Sequence, residues 1–153
     1  MSETVNATLD YLTYNGRTYP LTGALHKKRS DWHTYFMDIA EAVSRRATCP
    51  RASVGAVIVK DNRLVATGYN GALAGSRHCT DEGVGCKMVD GHCKRTIHAE
   101  MNAVAYAARN GVSLQGTTLY LYGKDVCREC RNVLIAAGVE VYMHRKPEAE
   151  RMP

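Results

Sequence analysis

At 153 residues, 45% apolar and 23% charged, the chain has the size and balance of one globular domain with a single substantial core. No apolar run approaches the ~18 residues that span a bilayer, and the start lacks a secretion signal, so neither a membrane nor a secreted protein is expected. A cytoplasmic location is expected, where six cysteines serve as metal ligands or free thiols, and the net charge of +5 suits an anionic ligand such as a nucleotide.

Residues 1–29 read as an extension in front of a domain spanning 30–153. Within the extension, two short alternating runs flank Asn15-Gly16, which predicts a β-hairpin. Trp32, Tyr35, Phe36, Ile39, Ala40 and Val43 recur at helical spacing behind Ser30 or Asp31 as N-cap, and this helix is expected to end near Cys49-Pro50. The apolar run Val54 to Val59, the turn Asp61-Asn62 and the run Leu64 to Tyr69 form a second predicted hairpin. Asn70 to Thr96 is glycine-rich with little periodicity, a length uncommon in a compact domain unless the loop is functional or stapled. An alanine-rich helix over His98 to Asn110 is followed by a strand at Thr117 to Tyr122, a helix at Cys127 to Ala137 and a strand at Val139 to Met143. This order implies a mixed sheet covered by helices. The clusters Lys27-Lys28-Arg29 and Arg45-Arg46 read as solvated faces.

Chemistry concentrates at His98-Ala99-Glu100 and Cys127-Arg128-Glu129-Cys130. One imidazole and two thiolates make three protein ligands for zinc and leave the fourth tetrahedral position to water, the mark of a catalytic rather than a structural site. Both halves fall at helix N-termini, where the dipole and free backbone N–H groups favour thiolate. Taken singly, His98 is an ordinary helix histidine, Glu100 an N-terminal carboxylate, and Cys-x-x-Cys a redox or structural-zinc motif. Together they resemble the zinc-deaminase signature H-x-E…P-C-x-x-C, with Val126 where the signature has proline. A thioredoxin-like role has no need of His98 and Glu100. The expected reaction is hydrolytic removal of an amino group from a base, with Glu100 moving protons.

Cys49, Cys79, Cys86 and Cys93 remain, three of them in the glycine-rich segment. Four thiolates form a closed set for a second, structural zinc, with His78 or His92 able to replace one cysteine. The alternative is four free thiols.

With these residues stated, the chain resembles the deoxycytidylate deaminase family, phage and bacterial branch, within the cytidine deaminase-like superfamily. The resemblance runs from about Asp31 to Met143. It rests on Cys49-Pro50-Arg51-Ala52-Ser53-Val54-Gly55, on Gly68-Tyr69-Asn70-Gly71, on the extra cysteines, and on Thr96-Ile97-His98-Ala99-Glu100-Met101-Asn102-Ala103. It implies an α/β fold, a three-layer α/β/α arrangement around a central mixed sheet of about five strands. It implies conversion of dCMP to dUMP by a cytoplasmic homohexamer that dCTP activates with Mg²⁺ and dTTP inhibits. Asn70, Gly71 and Arg109 are the implied effector contacts, although Arg109 is equally an ordinary helix-terminal cation. Arg51 and Ser53 are candidates for the substrate phosphate, and Asn102 for holding the loop by hydrogen bonds.

Leu73 and Val126 replace the family's usual prolines, and Tyr122-Gly123-Lys124-Asp125 departs from its usual approach to the cysteine helix. These departures keep open another cytosine nucleotide, dCTP or a modified dCMP. A catalytically idle zinc- or nucleotide-binding subunit is the rival of a different class. A nucleic-acid polymer is not an expected partner, because such an enzyme needs base-stacking aromatics and a basic channel and the chain has one Trp and one Phe, although nine tyrosines keep that reading open.

Overall fold

Gly55 and Gly68 show how this domain is assembled, because a helix crosses each of them at backbone contact distance. The computed structural model describes residues 11–14, 17–20 and 29–147. Strands β1 (Tyr11–Tyr14) and β2 (Arg17–Pro20) pair antiparallel with Tyr14 opposite Arg17. The Asn15-Gly16 turn between them lies outside the described residues. This hairpin belongs to the unit Met1–Ser30, and the second unit is Asp31–Pro153.

The second unit opens with α1 (Trp32–Ser44), capped by Asp31, whose carboxylate accepts from the Thr34 N–H at 2.9 Å and from its hydroxyl at 2.7 Å. The helix stops at Ser44, short of the expected Cys49. The N–H groups of Arg45, Arg46 and Ala47 turn to carbonyls three residues back, and the Thr48 N–H goes to the Asn70 carbonyl at 3.1 Å. Cys49 is thereby drawn into an extended link beside the glycine-rich segment.

Strands β3 (Gly55–Lys60) and β4 (Arg63–Tyr69) form the predicted hairpin. Its turn residues Asp61 and Asn62 both take positive φ, 48° and 58°, the primed-turn geometry that matches strand twist. The glycine-rich segment is organised by two short ladders. One joins β5 (Gly71–Ala72) to β8 (Thr96–Ile97), and the other pairs β6 (Met88–Val89) with β7 (His92–Cys93) around Asp90-Gly91. Then follow α2 (Ala99–Arg109), β9 (Thr117–Tyr122), α3 (Arg128–Ala136) and β10 (Val139–Arg145).

The central sheet runs β10-β9-β3-β4, with β10 parallel to β9 and the other pairs antiparallel. Among the described residues it holds these four strands, the four read from the hydrophobic pattern, where the family resemblance implies about five. Strand alternation sends Val57, Val59 and Tyr120 to one face, under Phe36, Met37 and Ala40 of α1. Ala56, Ile58, Ala66, Leu119 and Leu121 face the other way, under Ala99, Ala103 and Ala107 of α2 and Leu134 of α3. The result is the expected α/β/α sandwich. Small residues on α2 let it sit close to the sheet, and that closeness sets where its N-terminus delivers His98 and Glu100.

Candidate active site

His98 is the N-cap of α2, but its side chain makes no capping bond, so the ring is free to face the start of α3. Its Nδ1 lies 3.5 Å from Cys127 Sγ and 3.4 Å from Cys130 Sγ. Cys127 caps α3, and its sulfur accepts the Cys130 N–H at 3.4 Å. The three donor atoms lie within 4.8 Å of one another. A tetrahedral zinc with Zn–S near 2.3 Å and Zn–N near 2.0 Å places its donors roughly 3.6 Å apart, so the set fits. The donor chemistry fits as well. Burial, then the Glu100 carboxylate, pushes the Cys130 thiol up, and a thiolate at that place calls for a cation as its partner.

Glu100 sits in the first turn of α2 and is 3% exposed. Burial raises its pKa, against the opposing pull of its own backbone N–H and of His98. A carboxyl held toward the protonated range beside a site of this kind suits proton transfer in both directions. It opens into a cavity of about 230 Å³ that is also lined by Arg51, Asn70, His92, His98 and Lys124.

The other four cysteines converge beside this cavity. Cys49 Sγ is 3.7 Å from Cys86 Sγ, and Cys79 Sγ is 3.6 Å from Cys93 Sγ. Cys49, Cys79 and Cys86 form a group within 4.8 Å, which Cys93 joins through Cys79. These separations match the roughly 3.8 Å sulfur–sulfur edge of a zinc tetrathiolate. None of the six cysteines is in a disulfide. Burial and its thiol neighbours push Cys86 up to about 12. Burial also opposes ionisation of Cys93, yet the Arg95 N–H, the Cys79 thiol and the Lys87 N–H together bring it down to about 6. His78 turns to the Thr48 hydroxyl at 3.1 Å, and His92 lies with its ring 6.1 Å from that of His98, on the catalytic side.

The remaining sequence candidates are spread more widely. Arg51 lines the cavity and is steadied by donation from Nη1 to Met88 Sδ at 3.3 Å and to the Gly91 carbonyl at 3.5 Å. Asn70 lines it too, with both ends of its amide engaged: Oδ1 accepts the Val54 N–H at 2.8 Å and Nδ2 donates to the Ala52 carbonyl at 2.8 Å. Gly71 belongs to the β5–β8 ladder, where an added Cβ would stand 2.8 Å from the Thr48 hydroxyl. Ser53 is exposed and does not line the cavity, and Arg109 lies exposed in the last turn of α2. Asn102 donates to the Tyr69 carbonyl at 2.9 Å, the loop-holding bond read from its position. Lys124 and Asp125 line the cavity, and sequence reasoning marked them only as departures from a pattern. Their signal was Gly123, whose φ of 108° ends β9 in a conformation that L-residues avoid.

Three metal-type donors at two helix starts, with a buried carboxyl beside them on an α/β/α sandwich, match the class of zinc-dependent deaminases. Residues 30–144 match the family described as the cytidine and deoxycytidylate deaminase zinc-binding region, and the chain belongs to that family. Over 113 residues it is 47% identical to ComE operon protein 2 of Bacillus subtilis, covering 74% of this chain and 58% of that protein's length. Over 127 residues it is 39% identical to the deoxycytidylate deaminase of Mycobacterium phage D29, covering 77% and 97% of the two chains. The dCMP deaminase of cyanophage S-TIM5, solved in complex with dCMP and dUMP, superimposes with a TM-score of 0.61 at 29% identity, over 77% of this chain and 85% of that one.

Proposed function

We propose that this chain catalyses dCMP + H₂O → dUMP + NH₃. The observation that carries this reading is the cluster of His98, Cys127 and Cys130 donors at 3.4–3.5 Å, beside the buried Glu100 in a cavity lined by cations. The names of the phage relatives support dCMP as the substrate.

His98, Cys127 and Cys130 hold the catalytic zinc. When bound there, zinc would supply Lewis acidity that lowers the pKa of a water toward neutrality. Glu100 does the proton work. Its Oε takes one proton from the water that adds to C4 and delivers it to N3, then takes the remaining proton from the C4 hydroxyl of the adduct and delivers it to the amino nitrogen as the C4–N bond breaks and C4=O forms. Burial keeps Glu100 among few competing waters and shifts it toward the neutral form that can donate. Arg51 faces the substrate phosphate from the rim, with Ser53 beside it in the chain.

Cys49, Cys79, Cys86 and Cys93 hold a second, structural zinc, a role supported by their 3.6–3.7 Å spacings. The regulatory part of the reading is a homohexamer activated by dCTP with Mg²⁺ and inhibited by dTTP, with Asn70, Gly71 and Arg109 at the effector site. It is supported by the family resemblance. A cytoplasmic location is supported by six unpaired cysteines.

The test is ammonia release from dCMP, dCTP, deoxycytidine and cytidine by metal-replete protein. Turnover fastest with dCMP, and lost in Glu100→Gln at unchanged zinc content, is the expected result. Undiminished turnover in that variant removes Glu100 from the mechanism, and no turnover of any cytosine compound leaves the idle-subunit reading.

A further inference from the structure

We infer that Lys124 is a specificity-determining contact to the phosphate of the substrate, completing with Arg51 a two-cation rim that selects phosphorylated cytosine compounds over free nucleosides. This inference rests on the deaminase reading of the site.

Gly123 establishes the geometry. Its N–H donates to the Arg145 carbonyl at 2.9 Å, and an added Cβ there would stand 2.3 Å from the Ser53 carbonyl oxygen. The loop between β9 and α3 is therefore pressed against the link that precedes β3. Arg51 stands two residues before Ser53 on one side of this contact, and Lys124 directly follows Gly123 on the other. Both side chains line the same cavity as Glu100 and His98.

The charge balance points the same way. Lys124 is exposed and has no ion-pair or hydrogen-bond partner among the described residues. The carboxylate beside it, Asp125, is taken up by β10 and its end: Oδ1 meets His144 Nδ1 at 2.7 Å and Oδ2 meets Lys146 Nζ at 3.4 Å. Arg51 spends one nitrogen on the β6–β7 turn and keeps other donors. With Asp125 of the same cavity engaged by His144 and Lys146, the rim presents an ammonium and a guanidinium to which no acid is paired among the described residues. Water-exposed cations at a concave site favour a dianionic phosphate ester, and the base end of such a ligand then reaches toward Glu100.

The experiment measures kcat/KM for dCMP and for deoxycytidine in metal-replete wild type, Lys124→Met and Lys124→Arg. It also measures dUMP binding to each by calorimetry. The dCMP-to-deoxycytidine preference is expected to fall about ten- to a hundredfold in Lys124→Met, the range for one charge-assisted hydrogen bond. The loss should be carried mainly by KM, with weaker dUMP binding and most of the preference restored in Lys124→Arg. A wild type that prefers dCMP, together with a Lys124→Met that keeps both preference and dUMP affinity, overturns the inference and leaves the deaminase reading intact. A wild type that turns over neither compound overturns both. A wild type indifferent to the phosphate overturns this inference and the dCMP preference, and leaves the deaminase chemistry standing.

Discussion

Replacing Gly68 by alanine should cost the enzyme both stability and zinc. A Cβ at Gly68 would stand 2.3 Å from the Ala99 carbonyl oxygen and 2.5 Å from the Ala103 nitrogen, both backbone atoms of α2. Neither atom can rotate away, so α2 must withdraw from β4 by roughly 1 Å to reach ordinary contact. Overpacking of this kind costs about 1–3 kcal/mol, and the stiffer unfolded chain returns about 0.4–1 kcal/mol. The midpoints leave a net loss of about 1.3 kcal/mol, a fall of about 3–5 °C in Tm for a domain of this size. The same withdrawal carries His98 away from Cys127 and Cys130, and metal–ligand distances tolerate only about 0.2 Å. Zinc affinity at that site should therefore drop about tenfold or more, read by competition with a chromophoric chelator. Gly55→Ala is the control. Its Cβ would meet the Ala40 carbonyl at 2.1 Å and the Ser44 nitrogen at 2.5 Å, on α1, which carries none of His98, Cys127 or Cys130. It should lose comparable stability and keep its catalytic zinc. An unchanged Tm and chelator resistance in Gly68→Ala would refute the tight-seat argument, and equal zinc loss in both variants would refute the assignment of each glycine to its own helix.

Asn70→Ala leaves the Val54 N–H and the Ala52 carbonyl without partners and should destabilise the fold by about 2–3 kcal/mol in denaturant unfolding, since orphaned buried groups carry their full desolvation cost. Fully loaded protein should contain two zinc equivalents per chain, with Cys86→Ser retaining the catalytic one. A single equivalent in the wild type would eliminate the thiol centre. Asp31 has its pKa held below the ordinary 3.8 by the backbone N–H and hydroxyl of Thr34, so its capping contribution is present above that value and lost as pH falls through the lower folded value. The Tm of wild type minus that of Asp31→Asn should accordingly decline in acid below 3.8, and a pH-independent difference would contradict the charged cap.

The four sheet strands and three helices were legible because their hydrophobic periods are unambiguous, as in Val57-Ile58-Val59 or the alanines of α2. The convergence of His98, Cys127 and Cys130 was legible because residue type and helix-start position agree. The boundary of α1 was misplaced by several residues because a distant acceptor, the Asn70 carbonyl, captures the Thr48 N–H, and no local propensity encodes that. The ladders inside 70–97 were missed because two-residue strands have no period to detect. The structural task of Asn70, whose amide spans the link before β3, was not legible because it depends on chain segments far apart in sequence. Gly55 and Gly68 did carry a local sign, since a glycine within a strand pattern often marks close approach of another backbone.

The thiol cluster and the catalytic cavity share walls, and this explains why so polar a segment is ordered here. Between residues 73 and 95, Cys79 is the one fully buried residue, so apolar burial supplies little to hold the segment in place. Cys49 and Cys93 each belong to the sulfur cluster and also line the cavity of Glu100. Arg51 stands two residues beyond Cys49, and His92 directly precedes Cys93. Joining four sulfurs through one ion would fix these two stretches against each other more firmly than scattered side-chain contacts, because metal binding free energy acts directly as folding free energy. The Arg51 bonds to Met88 and Gly91 then tie the rim of the cavity to the same hairpin that carries Cys93. On the proposed function a second centre would act on the reaction through the placement of Arg51, so damage to it should be felt in substrate binding before it is felt in the proton transfers proposed for Glu100.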